Sequence, residues 1–200
     1  MTARWRAAIV ILVALCAALS KAAALGDDGF DSPMAAAVRA ATQAYRLALW
    51  AVHDGYVQTT DYIPGFGTMY TNHDRFDPSE LSQPTVLVYD EAGRLTACGY
   101  QFARSGPYAA PFRGVPASVW YSIPKHVHYN VLEGGVMHYG QAPWPNDDPP
   151  TLANLRAHNY VPADGTLTFA IVHPAVRAML IWAWRANDNG LYAGANPALP

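Results

Sequence analysis

The sequence contains very little cysteine and little charge for its 200 residues. Cysteine occurs only at Cys16 and Cys98, lysine only at Lys21 and Lys125, and charged residues make up 14% of the chain, where about a quarter is usual. Nucleic acid and anionic membrane surfaces both require dense Lys and Arg. The composition therefore argues against either as a partner.

The familiar catalytic loops are also missing from the sequence. It has neither a glycine-rich phosphate-binding loop nor a Gly-x-Ser-x-Gly nucleophile elbow, so nucleotide-dependent and serine-hydrolase chemistry find no support. The hydrophobic share is nevertheless 52%, which is enough for a packed core.

One long apolar run lies at the N-terminus. Arg4 and Arg6 precede apolar residues 7–19, and small residues follow to Ala24, which is the layout of a secretory signal peptide. The run is shorter than the roughly 20 residues that span a bilayer. We therefore predict a signal peptide over 1–24 and a single globular domain over 25–200, secreted or periplasmic, with no membrane association after cleavage.

Cleavage would change both the charge and the cysteine content. It removes three of the 13 basic residues and none of the 15 acidic ones, which leaves a net charge of −5. Cys98 then remains as the only cysteine, so no intramolecular disulfide can form. Stability has to come from the core or from a bound ion.

The fold class predicted from the sequence is α+β. Ser32-Pro33 is typical of a helix start, with a serine N-cap and proline at the first helical position. Apolar residues then recur at helical spacing to Gly55. The pattern predicts one long N-terminal helix that packs on a mainly antiparallel sheet, with long Pro/Gly-rich loops.

The sheet residues are predicted from β-type runs. Residues 90–93 favour a hairpin turn between the first two runs, and residues 56–77 are rich in Gly, Tyr, Thr and Asp, which suits an irregular loop. The predicted strands cover 85–89, 95–102, 120–123, 126–132, 167–173 and 179–184, with a short helix over 152–158 and proline-rich loops over 105–118 and 141–150.

The sequence His126-Val127-His128 carries the clearest functional pattern. Residues two apart on a strand point to the same face, so the two imidazoles are expected to lie side by side. Neutral imidazole is the commonest metal-binding side chain. The pair therefore predicts a site for a divalent transition metal, namely Zn, Cu, Fe or Mn.

Further ligands must come from elsewhere, and we predict Glu133, His138 and His173. A two-residue turn at Gly134-Gly135 would place His138 on the face opposite the histidine pair, whereas a three-residue loop would place it beside them. The sequence leaves both turns open. His173 follows an alternating apolar run and points toward the core, while His73 and His158 fall in predicted loops and rank behind the other histidines.

Two resemblances accompany these motifs. The spacing His126-x-His128-x4-Glu133-x6-Gly140 resembles the first metal motif of cupins, which implies His126, His128 and Glu133 as ligands and His173 as a fourth. More broadly, Gly55-Tyr56-Val57, the strand Pro84-Thr-Val-Leu-Val-Tyr89 and the Trp-x-Trp-Arg-x-Asn-x-x-Gly signature at 182–190 are similar to an uncharacterised family of exported bacterial proteins. That family implies no activity.

The sequence thus predicts an exported metal-binding protein with a His-x-His-centred site. An open coordination position would make hydrolytic or oxidative chemistry available to it. The alternative is a non-catalytic module that binds a small apolar ligand or a protein partner through an aromatic pocket. The aromatic residues considered for that pocket are Trp120, Tyr121, Tyr129, Tyr139 and Trp144.

Overall fold

The computed structural model describes residues 29–103, 108–144 and 147–200. The predicted signal peptide over 1–24 lies outside the described residues. Within them, no helix has the length and apolarity needed to cross a membrane.

The described residues form two antiparallel sheets with nine strands and three short α-helices. The helices are α1 (Pro33–Ala41), α2 (Ala48–His53) and α3 (Leu152–Ala157). The strands are β1 (Val57–Gln58), β2 (Thr68–Thr71), β3 (Val86–Tyr89), β4 (Leu95–Phe102), β5 (Tyr121–Ile123), β6 (His126–Glu133), β7 (Val136–Pro143), β8 (Thr166–His173) and β9 (Val176–Ile181). The larger sheet has the order β1-β2-β3-β4-β9-β5, and the smaller has the order β7-β6-β8.

The prediction of one long N-terminal helix packed on a sheet is wrong. The start is as expected, because the Ser32 side chain caps α1 by accepting from the Ala35 N–H. The helix ends at Thr42, whose hydroxyl donates to the Val38 carbonyl at 2.7 Å and accepts from the Trp184 indole at 2.9 Å.

The chain after Thr42 makes backbone contacts with a distant strand. A short 3-10 turn over Gln43–Tyr45 follows, and Leu47 is extended and bridges to Arg94, just before β4. The Leu95 N–H donates to the Arg46 carbonyl. These non-local hydrogen bonds override the helical periodicity and divide the segment into α1 and α2, since tertiary contacts readily outweigh propensity.

The predicted loop over residues 56–77 also requires correction, because it contains β1 and β2. Strand β2 pairs along its whole length with β3, from Thr68 opposite Tyr89 to Thr71 opposite Val86. Thr and Tyr are among the residues enriched in strands. The predicted 90–93 hairpin and the strands β3 to β6 otherwise agree with the structure.

The two faces of the larger sheet are covered by different parts of the chain. One face carries Leu87, Tyr100 and Ile181 and packs against a cluster that includes Val38 and Trp120. Each fully buried side chain of this size contributes roughly 1.5–3 kcal/mol. The opposite face carries Val86, Val88, Ala97, Leu180 and Trp182.

The smaller sheet is also two-faced, and this places the candidate site. Val127, Tyr129 and Val131 of β6 are buried in an apolar cluster with Leu155 of α3 and Trp144. Alternation along the strand then turns His126, His128 and Asn130 the other way. That second face meets the larger sheet, because the Asn130 amide donates to the carbonyl of Gln58 in β1.

Candidate metal centre

Three histidines converge where the two sheets meet. His126 and His128 share one face of β6, and β8 places His173 directly opposite His126 in the antiparallel register. One ring nitrogen from each histidine lies within 4.8 Å of the other two, and the Nε2 atoms of His126 and His128 are 2.8 Å apart. The three side chains lie close enough to hold a metal ion.

Burial of the opposite face of β6 fixes the register that produces this convergence. The opposite face of β6 buries Val127 and Val131, both fully inaccessible to solvent. A one-residue slip of the strand would expose these valines and turn the histidines into the apolar cluster. Burial of the valine face therefore fixes the direction of the imidazoles.

In His126 and His173 the proton sits on Nδ1, so the Nε2 lone pair of each ring can bind a metal. His126 donates from Nδ1 to the Pro124 carbonyl at 2.8 Å, and His173 donates from Nδ1 to the Pro174 carbonyl at 2.8 Å. Neutral imidazole carries one N–H, so Nε2 of both rings is an acceptor. Metal-bound histidines are characteristically held in this way, with the second ring nitrogen donating to a backbone carbonyl.

His128 differs from the other two histidines because it donates from Nε2. Because His126 Nε2 has no hydrogen, the short contact between the two Nε2 atoms makes His128 the donor. The Nδ1 atom of His128 is buried and, among the described residues, finds no hydrogen-bond partner. Metal binding through Nε2 would move this proton to Nδ1.

Gln101 of β4 is a residue of the larger sheet that contacts the histidine group. The atom placed as its side-chain Oε1 lies 3.0 Å from His173 Nε2, and the residue is 7% exposed. With the His173 proton on Nδ1, only an NH₂ group can complete this contact, and amide oxygen and nitrogen are interchangeable in such assignments. We therefore assign the Gln101 NH₂ as the donor to the lone pair that a metal would take.

Burial keeps these histidines neutral. Desolvation lowers the pKa of His126 and, with the neighbouring histidines, takes the pKa of His128 well below its usual value. The same cause lowers the pKa of His173 to about 3. Neutral imidazole is the form that binds metals, so the centre presents its ligating form at neutral pH.

A fourth histidine, His73, lies against the group. Its ring centroid is 5.4 Å from that of His128 and 6.3 Å from that of His173. Desolvation lowers the pKa of His73 to about 4. Its Nε2 is buried and has no hydrogen-bond partner among the described residues. Two unpaired buried nitrogens, one on His73 and one on His128, therefore belong to adjacent rings.

A cavity of about 80 Å³ adjoins the three histidines. Residues from both sheets line it, so it lies between them. Gln101, Gln141 and the hydroxyl-bearing Thr59 and Thr71 are polar members of the lining, and the two threonine hydroxyls are 3.0 Å apart. Its apolar members include Phe66, Met69, Val86, Ile123, Met179 and Leu180.

Glu133 and His138 lie outside the group of three. Glu133 pairs with Val136, so the turn has two residues, Gly134 and Gly135, both with positive φ. Glycine adopts such angles readily, which makes it suited to the tight hairpin turn. His138 then lies opposite Val131, on the face away from the histidine group. Its Nε2 is 4.0 Å from the Glu133 carboxylate.

The aromatic residues considered for a pocket are dispersed. Trp120 belongs to the core cluster of the larger sheet, whereas Tyr129 and Trp144 belong to the cluster beneath the smaller one. Tyr121 alone of the five lines the cavity beside the histidines. The structure thus gives the aromatic-pocket alternative no common site.

Sequence reasoning gave no indication of Gln101 and ranked His73 behind the other histidines. Gln101 lies in a largely apolar strand, and its position beside His173 depends on the packing of one sheet on the other. His73 follows β2 in an irregular segment, where no periodicity predicts the direction of a side chain.

Comparison with protein-family models, with curated proteins and with solved structures finds no match to this chain. The two resemblances noted in the sequence therefore stay predictions. The arguments for function rest on the geometry of the histidine group.

Proposed function

We propose that this protein binds one divalent transition metal ion through His126, His128 and His173. The observation that carries the proposal is the convergence of three ring nitrogens, all within 4.8 Å of one another, in a place where burial keeps the rings neutral. Imidazole suits zinc, copper, iron and nickel.

The distances fit an ion after small ring rotations. Two nitrogens bound to one tetrahedral zinc at about 2.0–2.1 Å each lie about 3.3 Å apart. The His126 and His128 nitrogens at 2.8 Å would separate slightly as their hydrogen bond is replaced. The His173 ring nitrogen lies within 4.8 Å of the other two, so a shift of about 1.5 Å or less brings it to the same ion.

The carbonyl partners of two ligands support this assignment further. Prolines at the end of β8 and just before β6 supply those carbonyls, at Pro174 and Pro124. Because each accepts from Nδ1, each ring is fixed with Nε2 toward the centre. Such outer contacts raise the basicity of the ligand and orient it.

Zinc and cobalt titrations of the purified, chelator-treated chain test the proposal. We expect one equivalent of metal per chain, together with a higher melting temperature. The double variant His126→Ala/His128→Ala should lose both effects. His138→Ala is the matched control and should keep them, since His138 lies on the other face of the same sheet. A wild-type chain that neither retains metal nor melts higher with it would overturn the proposal.

A further inference from the structure

We propose that the bound metal keeps one coordination position open toward the cavity between the sheets, and that this position takes a small monoanion. The inference rests on the proposed function, since it requires a metal at His126, His128 and His173. It goes further by naming the class of ligand that completes the site.

The charge of the centre favours an anion. Three neutral imidazoles leave the full charge of a divalent ion, and the described residues that line the cavity include no Asp, Glu, Lys or Arg. His128 and His173 are 4% and 1% exposed. An uncompensated charge in such surroundings is costly, so a monoanion at the fourth position lowers the cost of holding the metal there.

The space next to the histidines suits a small ligand. The cavity of about 80 Å³ has room for a ligand at least as large as one water. A hydroxide, an azide or the carboxylate of a very small acid fits this space. Three protein ligands with a free fourth position are also the usual composition of a catalytic zinc site.

Gln101 can serve as hydrogen-bond donor to that ligand. In the metal-free arrangement its amide contacts His173 Nε2 at 3.0 Å. A metal takes over this lone pair, which frees the amide beside the cavity that Gln101 also lines. A donor next to an anion strengthens its binding, because hydrogen bonds to charged groups are stronger than neutral ones.

A small ligand can reach the position from the edge of the sheets. Tyr121, Ile123, His126 and Gln141 line the cavity and are each partly exposed. Tyr121 and Ile123 belong to β5, the edge strand of the larger sheet. Exchange of a small anion should therefore need no opening of the core.

The test is a titration of the cobalt-loaded full-length chain with azide, followed by visible absorption. Cobalt(II) bands report the ligands of the ion directly. We expect a saturable change in these bands while cobalt stays bound, as checked by metal analysis after the titration. Absence of protein-bound cobalt bands would overturn both proposals. If cobalt is bound but azide leaves its bands unchanged, only the proposal of an open position is overturned. The same holds if azide merely removes the metal from the protein.

A pair of glutamine variants assigns the donor. Gln101→Leu should weaken azide binding by about tenfold, equivalent to 1.4 kcal/mol, with one cobalt still bound per chain. Gln83→Leu is the matched control: Gln83 is exposed, is not among the cavity-lining residues, and its variant should match the wild type. Equal azide affinities of Gln101→Leu and the wild type would remove Gln101 from the inference.

Discussion

The two ends of the β6–β7 hairpin hold histidines in opposite environments. At one end His126 and His128 meet His173 across the ladder, and His128 and His173 are buried. At the other end, near the turn, His138 faces Glu133 at 4.0 Å with both side chains partly exposed. The same residue type thus lies in a buried, hydrogen-bonded group at one end and in a solvated pair at the other.

The difference between these ends comes from the strand that supplies the partner. The turn-connected neighbour, β7, contributes Gln141 opposite His128 and places His138 on the far face. The distant neighbour, β8, contributes His173 on the same face as the pair. The non-local ladder assembles the centre, and the local hairpin keeps His138 out of it.

The largest expected contrast between the ends is in acid stability of the metal-free chain. The pKa of His173 is lowered to about 3 and that of His73 to about 4, against roughly 6.5 in an unfolded chain. Below about pH 6.5 these histidines are protonated in the unfolded chain but stay neutral in the folded chain. The free energy of unfolding therefore falls as the pH falls through this window, by up to about 1.4 kcal/mol per pH unit for each such group.

Urea unfolding of the chelator-treated, metal-free protein, measured from neutral pH to mild acid, tests this effect. The midpoint should drop steadily below about pH 6.5. His138→Gln should show the same drop as the wild type, because the loss belongs to the buried end. An unchanged midpoint across the range would show that the buried histidines take up protons without strain.

The next contrast concerns stabilisation by zinc. At free zinc 100-fold above its dissociation constant, the wild type should gain about 2.7 kcal/mol. His173→Ala should lose that gain, while His138→Ala should retain it. Each variant is compared with and without zinc by thermal melting, so the cost of the substitution itself cancels. Equal zinc-dependent gains in both variants would abolish the distinction between the two ends.

A smaller effect is expected at His73. Neither His128 Nδ1 nor the buried Nε2 of His73 has a hydrogen-bond partner among the described residues. When a metal fixes the His128 proton on Nδ1, rotation of the adjacent His73 ring would let its Nε2 accept that proton. His73→Phe should therefore weaken zinc affinity by about 10–100-fold, the usual range for outer-shell partners. His158→Phe, whose ring packs on Trp144 and Tyr160, is the control in competition titrations. An affinity for His73→Phe that equals the wild type would rule out this contribution.

The smallest effect is expected at the exposed end. Glu133→Gln removes one partner of a surface pair, and such pairs contribute about 0–1 kcal/mol. Stability should change within that range, and zinc affinity should stay as in the wild type. A loss of zinc affinity in Glu133→Gln would instead support Glu133 as a ligand and link the two ends of the strand.

Much of the local structure could be predicted from the sequence. The run from Leu95 to Phe102 and the turn before it correspond to β4 and its hairpin, because side-chain character and turn residues act over a few positions. The N-terminal helix could not be predicted at its true length. Its interruption depends on the hydrogen bonds of Thr42 and Arg46 with residues far along the chain.

In the candidate site, too, the locally determined features could be predicted and the non-local ones could not. Strand alternation alone places His126 and His128 together, since neighbouring side chains on a face need no partner strand. The sequence predicts His173 as a ligand but does not place it beside the pair. Its position opposite His126 requires the register between β6 and β8, whose paired residues are 34 to 47 positions apart in sequence. Burial of Val127 and Val131 fixes that register.

The sequence by itself determined the imidazole pair, because strand alternation is a property of a few consecutive residues. Tertiary structure alone decided that His173 joins the pair, that His138 does not, and that Gln101 and His73 lie against the group. Those outcomes depend on which strands pair and which faces are buried, and burial is a property of the whole chain.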